Sequence, residues 1–170
     1  MLTWLPVLLW LPFGFFLHNL IHEGAHALVA KACGATQVRI WPFPSWKLGH
    51  FTWAHFSARM WPNPSHFKAM LAAPLIAEAL WAASMLALMP AAIWSAGPAL
   101  TLILAAEVCF SLVDALVWCL GFWFGHGWAD AERFRVLARW SVLQGCLVSL
   151  LWLPAAAIFL SMLAWMQPWH

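Results

Sequence analysis

The sequence predicts an all-α polytopic membrane protein, and three observations carry that prediction. The 170 residues are 65% hydrophobic and only 8% charged, against about 25% charged residues in an average soluble domain. Four apolar stretches, roughly 4–30, 67–93, 98–124 and 138–166, are each long enough to cross a bilayer, which takes about 20 residues of helix. All eight Lys and Arg residues fall in or beside two of the three connections between those stretches. The apolar excess is too large for one soluble core of this size to bury, so lipid must cover the remainder. Residues 1–170 read as one membrane-embedded domain of about four transmembrane helices, with no feature that points to nucleic acid.

The elements follow in order. Stretch 4–30 lacks a basic lead, and its apolar run continues past signal-peptide length, so it reads as a retained span. Segment 33–66 differs in kind. It contains Gly34, Gly49 and four prolines, and the alternating run Thr36-Gln37-Val38-Arg39-Ile40 favours short strands. The expectation is a small β-hairpin or irregular segment at the cytoplasmic membrane surface. Pro90, Gly97 and Pro98 punctuate a short connection between the second and third spans, as in a helical hairpin. The fifteen Trp residues cluster near span ends, where indoles anchor at the lipid interface. Cys33, Cys109, Cys119 and Cys146 are scattered without CxxC spacing, which indicates neither a disulfide framework nor a cysteine metal site.

Topology follows from the basic residues. Lys31, Arg39, Lys47, Arg59 and Lys68 belong to the first connection, and Arg133, Arg135 and Arg139 to the third. The positive-inside rule puts both in the cytoplasm and both termini outside, as expected of a multi-pass protein of a cell (inner) membrane.

Chemistry concentrates in His22-Glu23-Gly24-Ala25-His26. Positions i and i+4 project from one helix face, so the two imidazoles can share a metal ion. In an HExxH motif the intervening glutamate takes a proton from water that zinc has acidified. Ionisable residues inside a span are expensive and usually mark function. A catalytic zinc needs a third protein ligand. The carboxylates geometrically able to supply it are Asp130, at the cytoplasmic end of the last helical region, and Asp114, within the third span. Glu78 and Glu107 lie nearer mid-span or the outer half and suit that role less; each either pairs with a helix or lines a cavity. His18, one turn before His22, is either a residue that orients a ligand or a helix-packing histidine. His50, His55, His66 and His126 lie near the same surface, where the alternatives are stabilising an oxyanion and the commoner one of an ordinary interfacial histidine.

Taken together these features resemble the site-2 protease family of intramembrane metalloproteases, over most of the chain. His22 to His26 resembles the family's HExxH helix, and Gly34 with the run Val38 to Trp41 resembles its glycine and membrane-surface strands. Ala72-Ala73-Pro74 is similar to the small-residue and proline signature of the following span, and Asp130-Ala131-Glu132-Arg133 to the family's Asp-Gly-Gly-Arg element. The resemblance implies a zinc endopeptidase that cuts membrane-spanning protein or peptide substrates. It implies zinc held by His22, His26 and Asp130, with Glu23 as the base. Both glycines after the aspartate are replaced and the usual Asn-Leu-x-Pro lead-in is absent. A minimal member is expected, with no PDZ or nucleotide-sensing module. The surface segment 36–56 is a candidate for edge pairing with an unwound substrate. Other classes compatible with the residues are a membrane metal transporter or sensor and a catalytically silent scaffold of the same fold.

Overall fold

A computed structural model describes residues 5–47, 50–59, 63–95 and 98–124, together with residues 130, 133, 134, 136, 139, 141, 144, 157 and 161. Three long helices dominate the described residues: α1, Leu5–Ala32; α2, Pro64–Ser95; and α3, Pro98–Phe124. All three are long and apolar enough to cross a membrane. At 1.5 Å per residue the shortest measures about 40 Å, which exceeds a hydrocarbon core of about 30 Å. The expected fourth span, 138–166, lies outside the described residues apart from isolated positions.

Local chemistry sets the helix ends. Gly34 adopts a left-handed φ of 82° just beyond α1. Its N–H donates to Lys31 O, and the Ala35 N–H reaches back to Ala30 O at 2.9 Å. This is a Schellman stop, and it turns the chain into strand with little cost because glycine has no Cβ to clash. Asn63 caps α2, its side chain accepting from the Ser65 N–H at 3.0 Å. Pro64 and Pro98 occupy first helical positions, where a missing N–H costs nothing.

Between α1 and α2 the chain makes one long interrupted hairpin. Strand β1, Thr36–Trp41, pairs antiparallel with β4, His55–Arg59, and β2, Ser45–Lys47, pairs with β3, His50–Thr52. Pro42 and Pro44 fall in the break between the two ladders, since proline cannot donate to a sheet. The hairpin packs back against α1. Phe56 stacks on His26, while Trp53 and Phe43 meet Phe15 and Phe16 with ring centroids 5.3 and 5.2 Å apart. It therefore lies along α1 for about 16 Å, the rise from His26 back to Phe15. Aromatic side chains explain the depth, because Trp41, Phe43, Trp46, Phe51 and Trp53 are exposed apolar surface that favours lipid over water.

The helices pack through two kinds of contact. Met85, Met89, Ala92, Leu104, Ala105 and Val108 form an apolar seam between α2 and α3. Nearby, the buried Glu107 carboxylate accepts indole N–H bonds from Trp10 at 2.7 Å and Trp81 at 3.1 Å, so one residue of α3 ties α1 and α2 together. Gly14 permits this approach; a Cβ there would collide with the Glu107 carboxylate and the Trp10 indole. Outward positions such as Leu8, Leu9, Leu28, Leu80 and Leu116 are exposed, as a lipid-facing surface requires.

Glu107→Ala strands two part-buried indole donors, and its expected cost is about 1–3 kcal/mol. Thermal unfolding in detergent should show a lower midpoint for Glu107→Ala and for Gly14→Leu. Midpoints equal to that of the unaltered chain would contradict the three-helix tie.

Candidate metal centre

The motif helix presents His18, His22 and His26 as a ladder at i, i+4 and i+8, each one turn from the next. His18, Glu23 and His26 are buried, and His22 is partly so. What distinguishes the three imidazoles is the partner of each ring nitrogen.

His26 is fixed by α2. Its Nδ1 lies 2.8 Å from the backbone carbonyl of Met70. That oxygen is free because the residue four positions later is Pro74, which has no N–H to close the helical bond. A carbonyl only accepts, so Nδ1 of His26 must donate, and the lone pair of the neutral ring is left on Nε2.

His22 is fixed by both other helices. Its Nδ1 faces Glu78 Oε1 at 2.7 Å and Asp114 Oδ2 at 2.9 Å. Both are carboxylate acceptors, so Nδ1 again donates and Nε2 carries the lone pair. The two Nε2 atoms point to one place. Asp130 Oδ2 lies 3.1 Å from His26 Nε2 and 3.8 Å from His22 Nε2.

These residues fit a metal ion. Tetrahedral ligands about 2.05 Å from zinc stand about 3.3 Å apart, and 3.1 and 3.8 Å bracket that separation. Two lone pairs and a carboxylate facing one another repel unless a cation, either a metal ion or a proton, sits among them. Two imidazoles and one carboxylate, without thiolate, are a ligand set that several first-row divalent metals accept. Phe134, four residues after Asp130, packs against Trp118 and the cluster around Ala30, Met70 and Leu71, which anchors the segment that carries the carboxylate.

The sequence places His22 and His26 together, with Asp130 added by the family resemblance, and the fold brings those three together. It also separates the two aspartates that the sequence leaves as alternatives, with Asp130 on the Nε2 side of His22 and Asp114 on the Nδ1 side. Glu78 takes one of the two roles the sequence leaves it, pairing with a helix through His22 of α1. It lies at the depth of His22, completely buried, and makes the shortest contact to that ring. His18 lies beyond it, 3.7 Å from the same Glu78 oxygen. Glu107 resolves to helix pairing, through the two indoles. A sequence signal for the His26 partner existed in Pro74, since any helical proline frees the carbonyl four residues back. His126 lies outside the described residues.

Pro74→Ala restores an N–H that competes for the Met70 carbonyl. Nitrogen-15 NMR of the ring should then show His26 passing from an Nδ1-protonated form to a mixture of tautomers, without loss of helix content. An unchanged ring spectrum would contradict the role given to the proline. Comparison with family models, curated proteins and solved structures finds no match to this chain, so its function has to be argued from the chemistry of the site.

Proposed function

We propose that the chain is a zinc-dependent intramembrane endopeptidase that hydrolyses peptide bonds of membrane-spanning substrates. The observation that carries the reading is the convergence of two imidazole lone pairs and the Asp130 carboxylate at span depth, with buried Glu23 adjacent in sequence to the first imidazole. The resemblance of the His22 to His26 run and the Asp130 element to the site-2 protease family points the same way.

His22, His26 and Asp130 would hold the ion, and a bound zinc supplies a Lewis acid that polarises a carbonyl and acidifies water. Glu23 accepts the proton of the attacking water at its carboxylate and returns it to the departing amine nitrogen. Its neighbours prepare the rings, because the Met70 carbonyl and the Glu78 and Asp114 carboxylates hold both imidazoles by Nδ1. Low surrounding dielectric strengthens every charge interaction at the centre.

A membrane-spanning substrate hides its carbonyls in helical hydrogen bonds, so a short stretch must unwind before attack. The β1–β4 ladder lies beside the motif, with Phe56 stacked on His26, and an outer strand edge there can pair with the unwound segment. The basic residues of the first and third connections favour a centre on the cytoplasmic side.

One observation favours a second reading, a membrane metal transporter. His18, Glu78 and Asp114 continue the run of metal-capable side chains along the span. A transporter has no use for a base at position 23. The proposal expects Glu23→Gln to lower cleavage of a reconstituted model transmembrane substrate by about 10²–10⁴-fold while zinc stays bound. Cleavage undiminished in that variant would sink the peptidase, and zinc flux into vesicles that survives Glu23→Gln would establish the transporter.

A further inference from the structure

We propose that His18, Glu78 and Asp114 form a second divalent-cation site, on the opposite side of the His22 ring from the His22, His26 and Asp130 centre. The three residues come from α1, α2 and α3 respectively. Each offers one ligand atom, and the three atoms lie within 4.8 Å of one another. His18 Nε2 stands 3.7 Å from Glu78 Oε1, which already accepts from His22 Nδ1, so the Glu78 oxygen open to a cation is Oε2.

Unpartnered atoms point to a missing ligand independently of that spacing. Among the described residues, the buried side-chain nitrogens and oxygens without a hydrogen-bond partner are His18 Nδ1, Glu78 Oε2 and Ser111 Oγ. Two belong to the cluster itself, and the third is one turn before Asp114 on α3. His18 is 6% exposed and Glu78 is 0% exposed, so bulk water does not satisfy them. Such groups are costly to bury unpaired, and a polar cluster that retains them calls for a bound partner.

Charge selects what that partner is. Glu78 and Asp114 both approach the same His22 Nδ1, which offers one N–H to two carboxylate oxygens. Among the described residues, the ion-pair partners of these two carboxylates are imidazoles, with no Lys or Arg. Two buried or part-buried carboxylates and one imidazole are a ligand set that first-row divalent ions accept, and binding such an ion relieves the crowding of the two acids. The His22 ring then stands between two sites, with Nε2 turned to one and Nδ1–H hydrogen-bonded to the carboxylates of the other. The Asp130 centre, with two lone pairs already oriented, takes the first equivalent, and the His18 cluster takes the second.

Zinc alone is the probe. The full chain in detergent is stripped with chelator, equilibrated with Zn²⁺, and bound metal per chain is measured by elemental analysis. Two equivalents are expected for the unaltered chain, one for His18→Ala, and one for the double variant His26→Ala with Asp130→Asn. Cadmium-113 NMR of the unaltered chain needs no variant, and two resonances are expected there. A single equivalent with a single resonance in the unaltered chain overturns the second site, whereas loss of the first centre shows as a double variant that binds as much zinc as the unaltered chain. Equal zinc content in folded His18→Ala and the unaltered chain also overturns it.

Discussion

The hydrogen bond from His26 Nδ1 to the Met70 carbonyl is the constraint on which the rest of the site depends. It exists because Pro74 withholds the N–H that would otherwise claim that oxygen. A proline in a helix interior costs about 3 kcal/mol relative to alanine. Here the freed carbonyl becomes the acceptor that fixes one imidazole in a single tautomer. The same helix supplies Glu78 one turn further on, so α2 orients both motif histidines from one face: His26 through its backbone and His22 through a side chain.

His22 couples the halves of the polar interior. Its ring has an aspartate on each side, Asp114 toward Nδ1 and Asp130 toward Nε2. The two have different duties because one meets a hydrogen and the other a lone pair. Glu78 completes the inner side, and its burial at span depth is tolerable only within this network. Farther toward the opposite end, Glu107 performs a mechanical task, gathering Trp10 and Trp81 so that the three helices hold their spacing. Buried carboxylates in one small bundle thus divide between chemistry and architecture according to the donors that surround them.

Much of this was legible in the sequence. The i, i+4 histidines, the apolar lengths of the first three spans and the alternating strand run follow from periods of 3.6 and 2, which are local properties. Gly34 marks the end of α1 for an equally local reason, its left-handed φ. Glu78 was harder to place, because its depth depends on how far α2 extends past the hydrocarbon boundary, and the helix begins at Pro64 rather than near residue 67. The hairpin's course along α1 was invisible for a similar reason. It depends on pairs such as Phe16 with Phe43 and Phe15 with Trp53, which are contacts between elements and leave no periodic trace. Choosing between Asp114 and Asp130 required knowing which face of the His22 ring each would meet, and spacing along a chain carries no such information.

The account's central claim is that two neutral imidazoles and one carboxylate converge on a single cation. Zinc K-edge X-ray absorption on the full chain, loaded with one equivalent, measures that directly. The account expects a shell of nitrogen and oxygen at about 2.0 Å with no sulfur, and imidazole scattering that falls from two rings to one in His26→Ala. Sulfur at about 2.3 Å, or a spectrum indifferent to His26→Ala, would contradict it.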